Sequence, residues 1–360
     1  MIHRKGRGSL SNPAGRFESR TIESLDQDFD DGDSETGLPP LETIVRAQPA
    51  RRIIARNSSP DVGFDRSINP YRGCEHGCIY CFARPTHAFL NLSPGLDFET
   101  RLFYKPNAAE RLAAELSRPG YRCKPIALGA NTDPYQPIER RLRVTREVLG
   151  VLERFRHPVH IITKGSLIRR DLDLLARMAE RRLVAVMVSV TTLRDELKRT
   201  LEPRAASPRT RLRVIEALSA AGIPVGVLMA PVIPCVNDDE IEALLQSVAA
   251  AGASTASYVL IRLPHEVKDL FREWLAEHLP ERASHVMSLI RQMRGGSDYD
   301  PRYGVRMRGT GVYANLIGQR FRAAAKRYGL DKRDALTLDT AAFHVPADRQ
   351  SELEFGDIPD

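Results

Sequence analysis

Three of the chain's five cysteines lie within eight residues, and this segment constrains the fold more than any other part of the sequence. Cys74, Cys78 and Cys81 have the spacing C-x3-C-x2-C. Three thiolates on one loop can bind three irons of a four-iron cubane, which leaves the fourth iron without a protein ligand. Gly73 and Gly77 can adopt positive φ, so the backbone can curl around such a cluster and aim N–H groups at it.

A structural zinc ion is the alternative for the same three cysteines. Its fourth ligand would be His76 or His87. Zinc sites more often pair two C-x2-C knuckles, and the sequence contains no second knuckle. The spacing therefore favours an iron–sulfur cluster.

The composition is that of a soluble globular protein, with 42% hydrophobic and 28% charged residues among 360. No apolar run reaches the roughly 18 residues of a membrane-spanning helix, so we expect no membrane partner. The polar start predicts no signal peptide. An odd number of cysteines in a long chain of this kind predicts reduced thiols and a cytoplasmic location. The oligomeric state is left open.

The net charge of +7 hides an acidic stretch in a basic chain. Residues 21–36 contain seven of the 46 acidic residues and no Lys or Arg, so the rest carries 39 acidic against 53 basic residues. A basic body of this kind is compatible with a nucleic-acid partner and equally with a solvated arginine-rich surface. Residues 1–60 lack hydrophobic periodicity, which predicts a disordered N-terminal tail.

Between residues 61 and 265, apolar runs alternate with amphipathic stretches, which predicts parallel βα units. A basic helical extension follows at 266–336, with helices at 266–279, 282–293 and 313–328, and 337–360 is predicted to be a loose tail. The strands predicted between 61 and 265 span residues 125–129, 159–163, 183–190, 224–229 and 255–262, and the helices 140–156, 169–182, 208–221 and 238–251.

Polar residues follow the predicted strands, at the ends where ligands bind in such folds. Asn131 and Asp133 follow the strand at 125–129, in a loop with two prolines that can present amide and carbonyl groups. Lys164 follows the next strand and is suited to pairing a compact anion. Ser189 closes the strand at 183–190, and Arg204 lies in the loop beyond it and offers a second anchor for a carboxylate or phosphate.

The cysteine spacing, with Tyr80 before the last cysteine, resembles the signature of the radical S-adenosylmethionine (radical SAM) superfamily. The resemblance implies an α/β fold, a partial (β/α)6 TIM-type barrel here followed by a C-terminal helical extension. It also implies a [4Fe-4S] cluster, SAM and an external electron donor of the flavodoxin or ferredoxin type. In the superfamily the open iron binds SAM, whose reductive cleavage gives a 5′-deoxyadenosyl radical that abstracts hydrogen from a substrate. The residues expected to position SAM are Tyr80, Asn131, Asp133, Lys164, Ser189 and Arg204.

Residues 61–330 are similar to one branch of that superfamily, the proteins related to spore photoproduct lyase. That lyase returns a hydrogen atom to its product from a cysteine after the second strand, where this chain has Asn131. An amide cannot take over that role, so Cys235 is the candidate donor and Tyr135 a candidate radical relay. The segments that carry the similarity are 69–74, 80–84, 131–136, 162–164 and 201–204.

The resulting hypothesis is a radical SAM enzyme whose substrate is unidentified, with damaged DNA as the first candidate. Modification of RNA or of a protein is the alternative within the same chemistry. An alternative from a different class is a non-catalytic nucleic-acid-binding protein stabilised by zinc or by an iron–sulfur cluster.

Overall fold

The computed structural model describes residues 6–17 and 41–347. Ten strands form two sheets in this part of the chain. The strands are β1 (Ile44–Ala47), β2 (Ala55–Arg56), β3 (Arg66–Ile68), β4 (Tyr71–Arg72), β5 (Arg101–Tyr104), β6 (Ile126–Leu128), β7 (Val159–Thr163), β8 (Val184–Ser189), β9 (Val225–Val232) and β10 (Thr255–Leu260).

Eleven α-helices lie in the same described ranges, together with four short 3-10 helices. The α-helices are α1 (Asp97–Thr100), α2 (Ala108–Leu116), α3 (Glu139–Leu142), α4 (Val144–Arg154), α5 (Leu172–Glu180), α6 (Asp195–Leu201), α7 (Pro208–Ala220), α8 (Ile241–Ala250), α9 (Val267–His278), α10 (Pro280–Gln292) and α11 (Gly311–Arg327). The 3-10 helices are Arg84–Leu90, Ser166–Asp171, Asp238–Glu240 and Arg333–Leu336.

The larger sheet has seven strands in the order β10-β9-β8-β7-β6-β3-β2. Six of them, β3 and β6 to β10, run parallel, and β2 pairs antiparallel with β3 at one edge. Helices follow the parallel strands, and β8 is apolar and buried almost throughout, as expected of a strand that is covered on both faces. The partial (β/α)6 barrel predicted from the sequence is confirmed.

The predicted elements between 125 and 328 are all present, with small changes at their ends. The helix predicted at 140–156 is divided into α3 and α4 at Arg143, whose φ of 55° is left-handed. The helix predicted at 169–182 begins with the 3-10 helix at Ser166–Asp171 before α5. The prediction did not include α2 or the smaller sheet, whose strands lie in the order β1-β5-β4.

The chain ends differ from the disordered and loose tails that the sequence predicts. Residues 41–60 contain β1 and β2, and Ser9 is buried. At the other end, Asp339 donates its N–H to the carbonyl of Arg182 at 2.9 Å, and His344 donates to Phe155 at 3.2 Å. Backbone pairing therefore orders both segments. The remainder of the two predicted tails, 1–5, 18–40 and 348–360, lies outside the described residues.

None of the helices in the described ranges is both long enough and apolar enough to cross a bilayer.

Candidate active site

The cysteine loop follows β4 at the carboxyl end of the parallel sheet. Cys74 and Cys78 are buried and Cys81 is half-buried. The loop is tied to its surroundings by backbone hydrogen bonds, from Cys74 N–H to the Phe98 carbonyl (2.9 Å) and from Ile79 N–H to the Leu201 carbonyl (3.1 Å). The three thiols are therefore presented on a backbone of defined shape.

The environment of the thiols fits a bound cationic cluster. Burial raises the pKa of Cys81, but the backbone N–H groups of Ala83 and Arg84 point at its sulfur and offset part of that rise. Burial likewise raises the pKa of Cys78 to about 12, where the nearby Glu202 carboxylate adds to the effect and the Lys164 ammonium opposes it. Buried thiols form thiolates only when positive charge is supplied, and coordinated iron supplies it.

Arg84 holds the cysteine loop from behind. Its guanidinium donates to the carbonyls of Cys78 (2.9 Å) and Gly77 (3.2 Å), and it forms an ion pair with Glu99. Gly77 has a φ of 66°, and a Cβ at this position would meet the Glu99 carboxylate at 2.8 Å. Arg84 and Glu99 thus determine how the loop curls, and glycine is required where they approach it.

The N-terminal segment 6–17 covers this loop. Gly8 and Ser9 donate their N–H groups to Glu99, each at 2.9 Å, and Arg7 donates to the Glu99 carbonyl at 3.0 Å. Gly8 approaches so closely that a Cβ on it would lie 1.8 Å from the carbonyl oxygen of Gly77. The predicted tail is therefore part of the wall around the cysteines.

Asp133 connects three parts of the site. Its carboxylate accepts hydrogen bonds from Thr163 Oγ1 and from Lys164 N–H (both 2.7 Å), and it pairs with His76 Nδ1 at 3.3 Å. Burial alone would raise the pKa of Asp133, but the His76 imidazole and these donors outweigh it and lower the pKa to about 2. Since these partners occupy the carboxylate, Asp133 joins the cysteine loop to the end of β7.

Three side chains near the ends of the parallel strands make no hydrogen bond within the described part of the chain, those of Asn131, Lys164 and Ser189, although the Lys164 ammonium lies 5.9 Å from the centre of the Tyr80 ring. The backbone N–H of Asn131 is held by Asn69 Oδ1 at 2.8 Å. Burial lowers the pKa of Lys164, but Cys78 and Glu202 raise it on balance, so the ammonium keeps its charge. Free donors thus follow three adjacent strands, β6, β7 and β8.

Tyr80 and Glu202 join the cysteine loop to the end of β8. The Tyr80 hydroxyl and Thr191 Oγ1 (2.7 Å) both donate to Glu202, which also forms an ion pair with Arg211. Burial would raise the pKa of Glu202, but Arg211 and Lys164 lower it to about 2. The charged Glu202 lies beneath the predicted SAM site and balances the positive charge there.

Arg204 does not present a free guanidinium as the sequence predicts. It pairs with the buried carboxylate of Glu75 at 3.0 Å, and its backbone N–H donates to the His76 carbonyl at 3.2 Å. Glu75 therefore neutralises the charge that was expected to hold a carboxylate or phosphate. Arg204 supports the cysteine loop instead.

The two residues with predicted catalytic roles, Tyr135 and Cys235, make the following contacts. The buried Tyr135 hydroxyl donates to Asp171 at 3.1 Å, in a network of ion pairs that Asp171 makes with Arg146 and Arg170. Cys235 lies 3.8 Å from the Tyr313 hydroxyl of α11. It lines a pocket of about 450 Å³ to which the cysteine loop does not contribute. Cys235 also packs against the hydrophobic cluster that contains Cys78, Ile79 and Tyr80, so the two catalytic assignments stay predictions.

Sequence reasoning missed the residues that shape the loop, which are Arg84, Glu99 and Glu202. Arg84 and Glu202 each lie within a quoted motif, at 80–84 and 201–204, but nothing in the sequence tells that their side chains turn inward. No sequence pattern indicates a role for Glu99, because that role depends on contacts with Gly8 and Arg84, which are distant from it in the sequence.

Comparison with known proteins identifies related sequences and folds. Residues 68–248 match the radical SAM superfamily, which is half of the chain. An uncharacterized protein of Mycobacterium tuberculosis is 42% identical over 231 residues, covering 64% of this chain and 68% of its own length. An uncharacterized Methanocaldococcus jannaschii protein is 25% identical over 214 residues, covering 59% of this chain and 76% of its own.

Among solved structures, spore photoproduct lyase complexed with dinucleoside spore photoproduct has a TM-score of 0.54 at 14% identity, over 79% of both chains. A double mutant of that lyase with bound AdoMet and dinucleoside spore photoproduct has a TM-score of 0.53 at 14% identity, over 79% of this chain and 78% of that one. At this identity the likeness shows a shared fold. The fold and the family resemblance expected from the sequence are thus both confirmed.

Proposed function

Because the chain belongs to the radical SAM superfamily, whose cofactors are a [4Fe-4S] cluster and SAM, we propose that Cys74, Cys78 and Cys81 ligate the cluster of a radical SAM enzyme. When bound, the cluster supplies the electron that cleaves SAM and so starts hydrogen abstraction from a substrate. The observation that carries the proposal is the loop itself, where Cys74 and Cys78 are buried and backbone N–H groups point at the sulfurs of Cys74 and Cys81. The electron comes from an external donor, for which we expect a flavodoxin or a ferredoxin.

SAM is bound at the ends of β6, β7 and β8. Lys164 is the cation that pairs with the SAM carboxylate, since its ammonium is charged and makes no ion pair within the described residues, and the Asn131 amide and the Ser189 hydroxyl bind the other polar groups of SAM. Asp133 holds Lys164 by its backbone N–H at 2.7 Å, and Tyr80 orients Glu202 below it. The Lys164 ammonium itself lies 5.9 Å from the centre of the Tyr80 ring, which restricts its position before SAM binds and so limits the entropy cost of binding.

Damaged DNA is the substrate class that we propose first. The fold is shared with a lyase solved in complex with dinucleoside spore photoproduct. In this chain the ring of Phe82, next to Cys81, is 45% exposed, and the Arg262 guanidinium lies 5.3 Å from its centre. An exposed aromatic ring beside a guanidinium can stack an unpaired base. Modification of RNA or of a protein is the alternative within the same chemistry.

Anaerobic reconstitution with iron and sulfide tests the enzyme proposal. We expect a brown protein with about four irons per chain that releases 5′-deoxyadenosine from SAM under dithionite. The Cys78→Ala variant should lose the cluster, whereas Cys123→Ala, at the opposite end of the barrel, should keep it. Zinc in place of iron with no SAM cleavage would overturn the proposal and support a non-catalytic binding protein.

The substrate class has its own test. Dinucleoside spore photoproduct is incubated with the reconstituted protein, SAM and dithionite, and the formation of thymine products is followed by chromatography. Turnover supports DNA repair. If 5′-deoxyadenosine forms and the photoproduct is unchanged, the enzyme acts on another substrate.

A further inference from the structure

A strongly basic pocket lies at the end of the sheet opposite the cysteine loop. It has a volume of about 430 Å³ and lies between β2, the start of β3, and the loop after α2. Arg66 is the first residue of β3, and the cysteines come after the far end of the same strand, so the pocket is separate from the candidate active site. Its lining residues are Arg52, Ile54, Arg56, Arg66, Glu115, Arg118, Pro119, Gly120 and Tyr121.

The charges in this pocket are not balanced by the protein. Four arginines face a single carboxylate, Glu115, which accepts the Ile53 N–H at 2.6 Å. Within the described ranges, Arg52, Arg56 and Arg118 form no ion pair. Arg56 and Arg66 are direct cross-strand partners between β2 and β3, an arrangement that repels unless an anion lies between the charges.

Arg66 is the residue that distinguishes this pocket from a solvated basic surface. It is buried, and its Nη1 has no hydrogen-bond partner within the described part of the chain. Within the described ranges its one ion pair is a long one, 3.8 Å from the Arg66 Nε to a carboxylate oxygen of Asp65. The guanidinium lies over the Tyr121 ring, 4.9 Å from its centre, which fixes its direction. A buried guanidinium with an unused donor is costly unless a ligand accepts from it.

We propose that this pocket binds a compact phosphate-bearing small molecule, with Arg66 as the central donor and Arg52, Arg56 and Arg118 around it. Guanidinium groups match phosphate oxygens with paired hydrogen bonds. The volume lies in the range of about 300 to 1,000 Å³ that is usual for small-molecule sites. Inorganic pyrophosphate and the phosphates of a nucleotide offer the same chemistry, so both are used as probes.

Isothermal titration of the full chain with sodium pyrophosphate and with ATP, at constant ionic strength, tests the proposal. We expect saturable binding of one anion per chain, with the same affinity before and after cluster reconstitution. Arg66→Gln and Arg118→Ala should each weaken binding roughly tenfold or more, because each removes a charged hydrogen-bond donor. The matched control is Arg140→Ala, an exposed arginine outside the pocket, which should leave the affinity unchanged.

The outcomes separate the sources of the anion. Binding of pyrophosphate as well as ATP supports recognition of the phosphates alone, and binding of ATP alone supports a nucleotide. Binding only of a dT10 oligonucleotide, or equal affinities in Arg118→Ala and Arg140→Ala, would overturn the proposal. Because Arg66 is buried, Arg66→Gln is first checked by thermal melting, and Arg52→Ala replaces it if that variant does not fold. Anion binding is measured without SAM cleavage, so failure of this proposal and failure of the proposed enzyme function can be told apart.

Discussion

Arg84 and Glu99 form an ion pair in which neither side chain has any exposure to solvent. The pair lies directly behind the cysteine loop, and each partner makes further hydrogen bonds. Arg84 donates to the loop carbonyls, while Glu99 accepts from the N-terminal segment at Gly8 and Ser9. One buried contact therefore connects the loop, α1 and the N-terminal segment, and its loss should destabilise all three.

Glu99→Gln tests this connection. Removal of one charge leaves Arg84 buried and uncompensated, so we expect a loss of about 3 to 5 kcal/mol in the free energy of unfolding. The control is Glu110→Gln, because Glu110 and Arg111 form an exposed ion pair at 3.7 Å that should contribute less than about 1 kcal/mol. Urea denaturation measures both variants. Equal destabilisation by the two substitutions would show that the buried pair has no special role.

Gly8→Ala tests whether the N-terminal segment is packed against the loop. The added Cβ collides with the Gly77 carbonyl at 1.8 Å, so the segment must move away, and overpacking of this kind costs about 1 to 3 kcal/mol. Faster hydrogen exchange at the Ser9 amide would report the release. Gly63→Ala is the control, because a Cβ there meets no atom within 4 Å. Unchanged Ser9 protection in Gly8→Ala would refute the packing.

Lys164→Met tests the proposed SAM site. Loss of the charge proposed to pair with the SAM carboxylate should raise the dissociation constant of SAM about tenfold or more, while the iron content stays the same. Equilibrium binding to the reconstituted protein measures the first quantity and elemental analysis the second. Lys268→Met, an exposed lysine on α9, is the matched control. If Lys164→Met binds SAM with the wild-type affinity, a residue other than Lys164 must bind the SAM carboxylate.

Low pH should reduce the free energy of unfolding through protonation of Asp133. Its pKa in the folded state, about 2, lies below the ordinary value of 3.8, so the folded state binds fewer protons between these values. The stability that this carboxylate contributes is present above about pH 4 and is lost as the pH falls towards 2, by roughly 2 kcal/mol. Unfolding measured across this pH range before cluster reconstitution should show the loss, and Asp133→Asn should reduce it. An identical slope in the variant would contradict the assignment.

Tyr135→Phe should leave SAM cleavage and product formation within about twofold of the wild type. Its hydroxyl donates to Asp171, so the substitution removes one buried hydrogen bond and about 1 kcal/mol of stability. Cys235→Ala should likewise leave the product unchanged, because Cys235 lies beside Tyr313 in another pocket. Abolished turnover in a folded Tyr135→Phe protein, or diversion of the product in Cys235→Ala, would instead support the catalytic roles predicted from the sequence.

Much of the barrel could be predicted because its signals are local. The apolar run at β8 is a strand buried on both faces, and α7 begins at Pro208 after the capping residue Ser207, whose side chain accepts the Thr210 N–H. By contrast, β1 and β5 form a parallel pair between segments more than 50 residues apart, and neither has a periodic pattern of its own. The N-terminal segment was missed for a related reason, since its hydrogen bonds are to Glu99, which is about 90 residues away in the sequence.

The sequence by itself determined the chemistry of the loop, because the spacing of Cys74, Cys78 and Cys81 limits what they can bind whatever surrounds them. It also placed Asn131, Lys164 and Ser189 after parallel strands, whose carboxyl ends must meet at one edge of the sheet. Only the tertiary structure decided which side chains there are free. Arg204 is neutralised by Glu75, and Asp133 is occupied by His76, whereas the Lys164 ammonium makes no hydrogen bond or ion pair with the described residues and contacts only the Tyr80 ring. Such pairings join residues that are distant in the chain, so local sequence patterns cannot report them.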